Sequence, residues 1–166
     1  MATLALPSAA RGASAPALDT AVLAGPLARA ERLNPPTPAA SFARQVFDLV
    51  NAQRAGYNLP PFTYDSRLEL AAQRHSEDQA RHQNMSHTGS DGSSMSERIE
   101  RAGFAFRRAA ENVAYGYRTP AAVVQAWMNS DGHRRNILSA NTHIGVGVAV
   151  GANGLIYWTQ NFGTPP

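Results

Sequence analysis

The chain contains no cysteine in its 166 residues. A disulfide framework, a thiolate nucleophile and a Cys-ligated zinc site are therefore excluded. Lysine is absent too, and all 15 basic residues are arginine. These arginines are scattered, apart from Arg107-Arg108 and Arg134-Arg135. No basic stripe interleaved with aromatics appears, which argues against a nucleic-acid partner despite a net charge of +3. No apolar run approaches the roughly 18 residues of a membrane-spanning helix. H-E-x-x-H, G-x-S-x-G, Walker and G-x-G-x-x-G motifs are missing, and no internal repeat is visible.

What remains is enough for one domain, with 43% hydrophobic and 16% charged residues. The first 38 residues are rich in Ala, Pro and Leu. Residues 1–15 end in Ala13-Ser14-Ala15, an A-x-A cleavage pattern, and read as the remnant of a signal peptide or as a plain Ala/Pro-rich leader. Residues 16–38 read as a linker, and 39–166 as the domain, with its first periodic pattern near Ser41.

Phe42, Val46, Leu49, Val50 and Gln53 share a helical face that Gly56 terminates. A second helix runs from Ser66 to about Gln83, capped by Asp65 or Ser66, with Leu68, Ala72, His75 and Gln79 inward. Ser94-Met95-Ser96-Glu97 is a capping box opening a third helix that stops at Gly103. Asn112 to Tyr117 reads as a strand. Thr119-Pro120 starts a fourth helix, with Val123, Val124, Trp127 and Met128 inward and Asp131-Gly132 as its end. Ile144, Val146, Val148 and Val150 then alternate with Gly145, Gly147 and Ala149, so one sheet face is nearly bare and admits a closely packed layer. Gly151 to Gly154 forms a hairpin loop, and Ile156, Trp158, Gln160 and Phe162 alternate on the return strand. Helices first and a hairpin last give an α+β layered fold.

The histidines are His75, His82, His87, His133 and His143. His75 continues an apolar helix face and reads as a core residue; His82 lies near that helix's end, and His143 reads as a surface residue. His87, Glu111 and His133 fall at junctions between elements, where functional side chains are often presented. Spacing alone leaves them as candidates.

Five ordered motifs add to this: Met85-Ser86-His87; Ala110-Glu111-Asn112-Val113-Ala114-Tyr115-Gly116; the run from Ala126-Trp127-Met128 through Ser130-Asp131-Gly132-His133 to Leu138; Ile144-Gly145-Val146-Gly147-Val148; and Tyr157-Trp158-Thr159-Gln160-Asn161-Phe162-Gly163. Together they resemble the CAP superfamily (the SCP domain), in its short, cysteine-free bacterial form. Asn51 and Arg54 match its opening helix. The resemblance implies a three-layer α-β-α sandwich with a central antiparallel sheet, exported to a secreted or periplasmic location; the sequence carries no clear oligomeric signal, and the chain reads as a monomer. It also implies a cleft of two histidines and two glutamates, with zinc or another divalent cation on the histidines. His87, Glu111 and His133 match three of those positions; where the second glutamate is expected, this chain has Asn129, Ser130 and Asp131.

Two neutral imidazoles suit zinc. The metal ligands are then His87 and His133, with Glu111, Asn112, Ser130 and Asp131 around them. The implied role is binding of an envelope or extracellular lipid, glycan or protein. The alternative is a metal-dependent hydrolase of peptide or envelope substrates, with Glu111 as its catalytic carboxylate.

Overall fold

The structure is a computed structural model and describes residues 37–166. The signal-peptide remnant read over 1–15, and all but the last two residues of the linker read over 16–38, lie outside the described residues.

Helix α1 spans Pro38–Gly56, with Pro38 in its first turn and the Thr37 hydroxyl accepting from the Ala40 amide at 3.2 Å. Its buried positions are Ala43, Val46, Val50 and Arg54. Gln53, placed inward by periodicity, is exposed, and its neighbour Arg54 takes the inward position. A guanidinium is tolerated there because it donates to the carbonyls of Pro60, Ile137 and Ser139, each at 2.8 Å, and lies 3.8 Å over the Phe62 ring. Strand β1, Thr63–Tyr64, is too short to show alternation in the sequence.

Helix α2 spans Ser66–His82 and is capped by Asp65, which accepts from the Arg67 and Leu68 amides. Leu68, Ala72, His75 and Gln79 are all buried, as the 3.6-residue period requires. Helix α3, Met95–Arg101, carries the capping box: Ser94 Oγ accepts from Glu97 N–H at 3.3 Å and Glu97 Oε2 accepts from Ser94 N–H at 2.8 Å. Strand β2 runs Arg108–Tyr115, so Glu111 lies within the strand rather than ahead of it. Gly116, at φ +83°, ends it before Tyr117.

Helix α4 spans Pro120–Met128 behind its Thr119 cap. Asp131-Gly132 does more than close it: a further helix, α5, spans Asp131–Ile137, and His133 sits in its first turn. Strands β3, His143–Val150, and β4, Ile156–Thr164, form the expected hairpin around a loop over 151–155.

The sheet order is β1-β3-β4-β2. The three long strands are antiparallel, and β1 pairs in parallel with β3, which makes the sheet mixed. One core joins Val46 and Val50 of α1, Val123 and Trp127 of α4 and Ile137 of α5 to Ile144, Val146 and Val148 of β3. A smaller core joins Leu68 and Ala71 of α2 to Ile99 and Phe104. The result is three layers: α1, α4 and α5; the sheet; α2 and α3. The glycine face of β3 explains the second interface. A Cβ on Gly145 would collide with the backbone of Leu68 and Glu69, and one on Gly147 with Ala72. Among the described residues no helix is long and apolar enough to cross a membrane.

Candidate functional site

Strand β2 is an edge strand, so its two faces and its free edge are all reachable by neighbouring loops. Period-two alternation turns Glu111 towards α2 and α3, and Asn112 towards α4 and α5.

The Glu111 carboxylate is buried, with 1% of its side chain exposed. His87 Nδ1 meets its Oε1 at 2.9 Å, and Arg98 Nη2 donates to Oε2 at 2.7 Å. The Asn161 amide, oriented to satisfy its surroundings, donates to the same Oε2 at 3.0 Å and accepts from Ala72 N–H at 3.1 Å. His75 Nε2 approaches Oε1 at 3.9 Å but bonds the Ser86 carbonyl at 2.7 Å. His75 is a core histidine, as read from the sequence, with one nitrogen satisfied: its Nδ1 has no partner. Burial lowers its pKa.

His87 stands at the surface, with 61% of its side chain exposed. The hydrogen bond to Glu111 raises its pKa. His133 is half-buried, and its Nδ1 meets Ser130 Oγ at 2.9 Å. Burial lowers the His133 pKa, and the charge of neighbouring His87 lowers it further. Each imidazole is thus held through Nδ1, by Glu111 or by Ser130, and neither Nε2 has a protein partner among the described residues. This is the arrangement in which an outer group orients a metal-ligating histidine. The donor set is open: among the described residues no three His, Cys, Asp or Glu side chains cluster to cage an ion.

Asn112 is a structural tie between β2 and α5. Its Nδ2 donates to the His133 carbonyl and to Gln160 Oε1, both at 3.1 Å, and its Oδ1 accepts from Asn136 at 2.8 Å. Asp131 stands outside this network: 84% of its side chain is exposed and it pairs with Arg134 at 3.1 Å.

The sequence profile of the CAP family, described as the cysteine-rich secretory protein family, matches residues 47–162. The chain belongs to the CAP family. It is 38% identical over 140 residues to the uncharacterized protein YkwD of Bacillus subtilis (strain 168), a match covering 81% of this chain and 53% of YkwD. Among solved structures, an extracellular protein containing a SCP domain from Bacillus anthracis str. Ames superposes with a TM-score of 0.71 at 33% identity, covering 79% of this chain and 45% of that one. An outer surface protein from Borrelia burgdorferi shares the fold, with a TM-score of 0.70 at 21% identity, covering 76% of this chain and 94% of that one. This chain therefore spans about half the length of YkwD and of the Bacillus anthracis protein.

Beside His133 this CAP domain has a groove of about 250 Å³, lined by Met85, Val113, Tyr115, Tyr117 and Trp127 among others. Met85, Tyr115 and Tyr117 are exposed large apolar side chains gathered at one place, the kind of patch that marks a binding surface. A larger cavity of about 370 Å³ lies between α2, α3 and the loop over 89–93. Its walls are charged and cross-linked, with Arg101 on Asp91 at 2.7 Å and Asp78 holding Ser90.

Arg98, Asn136, Gln160 and Asn161 are site residues to which the sequence assigns no role. One signal pointed towards Asn161 and Gln160: polar residues recur in the middle of the otherwise bulky strand β4. Nothing local pointed to Arg98. His82 bonds the Asp78 carbonyl of its own helix at 2.9 Å, and half-buried His143 packs near Phe104, with ring centroids 5.9 Å apart.

Proposed function

We propose that this chain is an exported CAP domain that binds a ligand or partner outside the cell or at its envelope, in the cleft along the edge of β2, with His87 and His133 holding a divalent cation such as zinc. The observation that carries this reading is the matched anchoring of the two imidazoles. Nδ1 of His87 is tied to Glu111 and Nδ1 of His133 to Ser130, which leaves both Nε2 atoms without a protein partner among the described residues. A bound cation would supply a Lewis-acidic centre for a ligand carboxylate, phosphate or carbonyl. Met85, Tyr115 and Tyr117 supply the apolar wall for the rest of that ligand, whether lipid, glycan or a segment of protein.

Binding is favoured over metal-dependent hydrolysis by the state of Glu111. A general base must reach the proton it removes, and this carboxylate is sequestered, with Arg98 on one oxygen and His87 on the other. Glu111 therefore acts on His87 as an orienting group. Export is supported by the family and by the extracellular Bacillus anthracis relative.

Zinc titration calorimetry on the wild type and on the H87A/H133A variant tests the reading. A saturable heat in the wild type that the variant lacks supports it; equal heats from both refute it.

A further inference from the structure

We infer that Arg98 is a positioning residue for this cleft: through Glu111 it fixes which nitrogen of His87 carries the proton and which is free to ligate. The inference builds on the metal-site reading above, but its primary test contains no metal.

The local sequence aims Arg98. The capping box fixes the start of α3, and Arg98 N–H makes an early bond of that helix, to the Ser94 carbonyl at 3.1 Å. The side chain folds back, so that Nη1 donates to the Ser93 carbonyl at 2.8 Å and Nη2 to Glu111 Oε2 at 2.7 Å. With 9% of its side chain exposed, Arg98 is held at both ends of its fork. A buried carboxylate needs a paired opposite charge, and for Glu111 Arg98 is the cation in closest contact.

The two carboxylate oxygens then divide their work. Oε2 is occupied by Arg98 and Asn161. Oε1 faces His87 Nδ1, since His75 Nε2 is engaged by the Ser86 carbonyl. An ionised carboxylate only accepts, so Nδ1 of His87 carries hydrogen, and in the neutral ring the lone pair lies on Nε2. Without Arg98, Glu111 keeps only Asn161 on Oε2 and loses its charged anchor, and His87 loses the fixed acceptor that selects this tautomer.

The test is the ¹⁵N chemical shifts of the His87 ring in metal-free wild type, R98M and R98K, recorded where the ring is neutral. The expected result is the Nδ1–H tautomer in the wild type and a shift in R98M towards the Nε2–H form that an unrestrained histidine prefers. R98K, which keeps the charge but not the fork, falls between them. Zinc affinity is expected to drop by about 10- to 100-fold in R98M, the usual size for loss of an orienting partner, and by less in R98K. An Nε2–H tautomer in the wild type, or an R98M or R98K spectrum identical to that of the wild type, overturns the inference. If R98M does not fold, the wild-type tautomer and R98K decide it. Zinc failing to bind a wild type that shows the expected tautomers would refute the metal reading and leave the role of Arg98 standing.

Discussion

Glu111 and Asn112 are consecutive residues that serve opposite layers of the sandwich. Glu111 ties β2 to the His87 loop and to α3, and Asn112 ties the same strand to the first turn of α5 that carries His133. One dipeptide on an edge strand thereby fixes the positions of both imidazoles. The glutamate sets a tautomer, whereas the asparagine sets a backbone.

That difference gives the first prediction. Asn112 is fully buried and bonds the His133 carbonyl, Gln160 and Asn136. N112A takes the donor from Gln160 Oε1 and leaves Asn136 Nδ2 only the Glu111 carbonyl at 3.2 Å, and is expected to destabilise the fold by about 2–4 kcal/mol. Urea denaturation measures this; a change below about 0.5 kcal/mol, the scale of ordinary surface substitutions, would show that the network is dispensable.

The bare face of β3 gives the second. A methyl group at Gly147 meets the backbone of Ala72, which has no rotamer to yield. G147A is expected to cost about 3 kcal/mol or more, at the upper end for overpacking, and G145A about as much against Leu68 and Glu69. Gly132, with open space around its Cβ position, is the control. Thermal melts of the variants compare them, and a G147A melt equal to that of the wild type would contradict the close approach of α2.

The histidines set the third. Burial lowers the pKa of His75 and His133, so the unfolded chain takes up protons at these positions that the native state does not. Their contribution to stability is full above the ordinary histidine pKa of about 6.5 and declines as pH falls below it. His87 has the opposite sign. Its raised pKa adds stability that is fully present below about 6.5 and is lost as pH rises through the folded-state value; its exposure to solvent keeps that term small. The sum is a fall in the urea midpoint between pH 7 and pH 5. H75Q keeps a donor for the Ser86 carbonyl and removes the titrating ring, so its profile is expected to be flatter. An unchanged slope in H75Q would assign the dependence elsewhere.

The elements legible in the sequence were those with short-range signals. The period of α2, the capping box of α3, the Thr119-Pro120 start of α4 and the Gly-Val alternation of β3 are patterns within about one or two turns of chain, and each matches the structure. The misread boundaries have local causes as well. Asp131-Gly132 is turn-like in composition, yet the aspartate opens α5, where an acidic side chain suits the helix N-terminus. Arg108 to Ala110 lack a bulky alternation, so the first half of β2 was invisible.

The site was legible only in part. His87 and Glu111 are 24 residues apart and His133 lies further along still, so no helical or strand period relates them. The family motifs carried that information. Arg98 belongs to none of those motifs, and its role arises from a contact across 13 positions between a short helix and an edge strand. Long-range polar pairing of this kind leaves no periodic trace.

Under the proposed reading, His87 and His133 would together hold one divalent cation. Anomalous diffraction above the zinc edge, from crystals of the chain soaked in zinc, tests it most directly. The expected result is a single anomalous peak beside His87 and His133, with Glu111 still on Arg98. A peak elsewhere, or none while His87 and His133 keep their present hydrogen bonds, would contradict it.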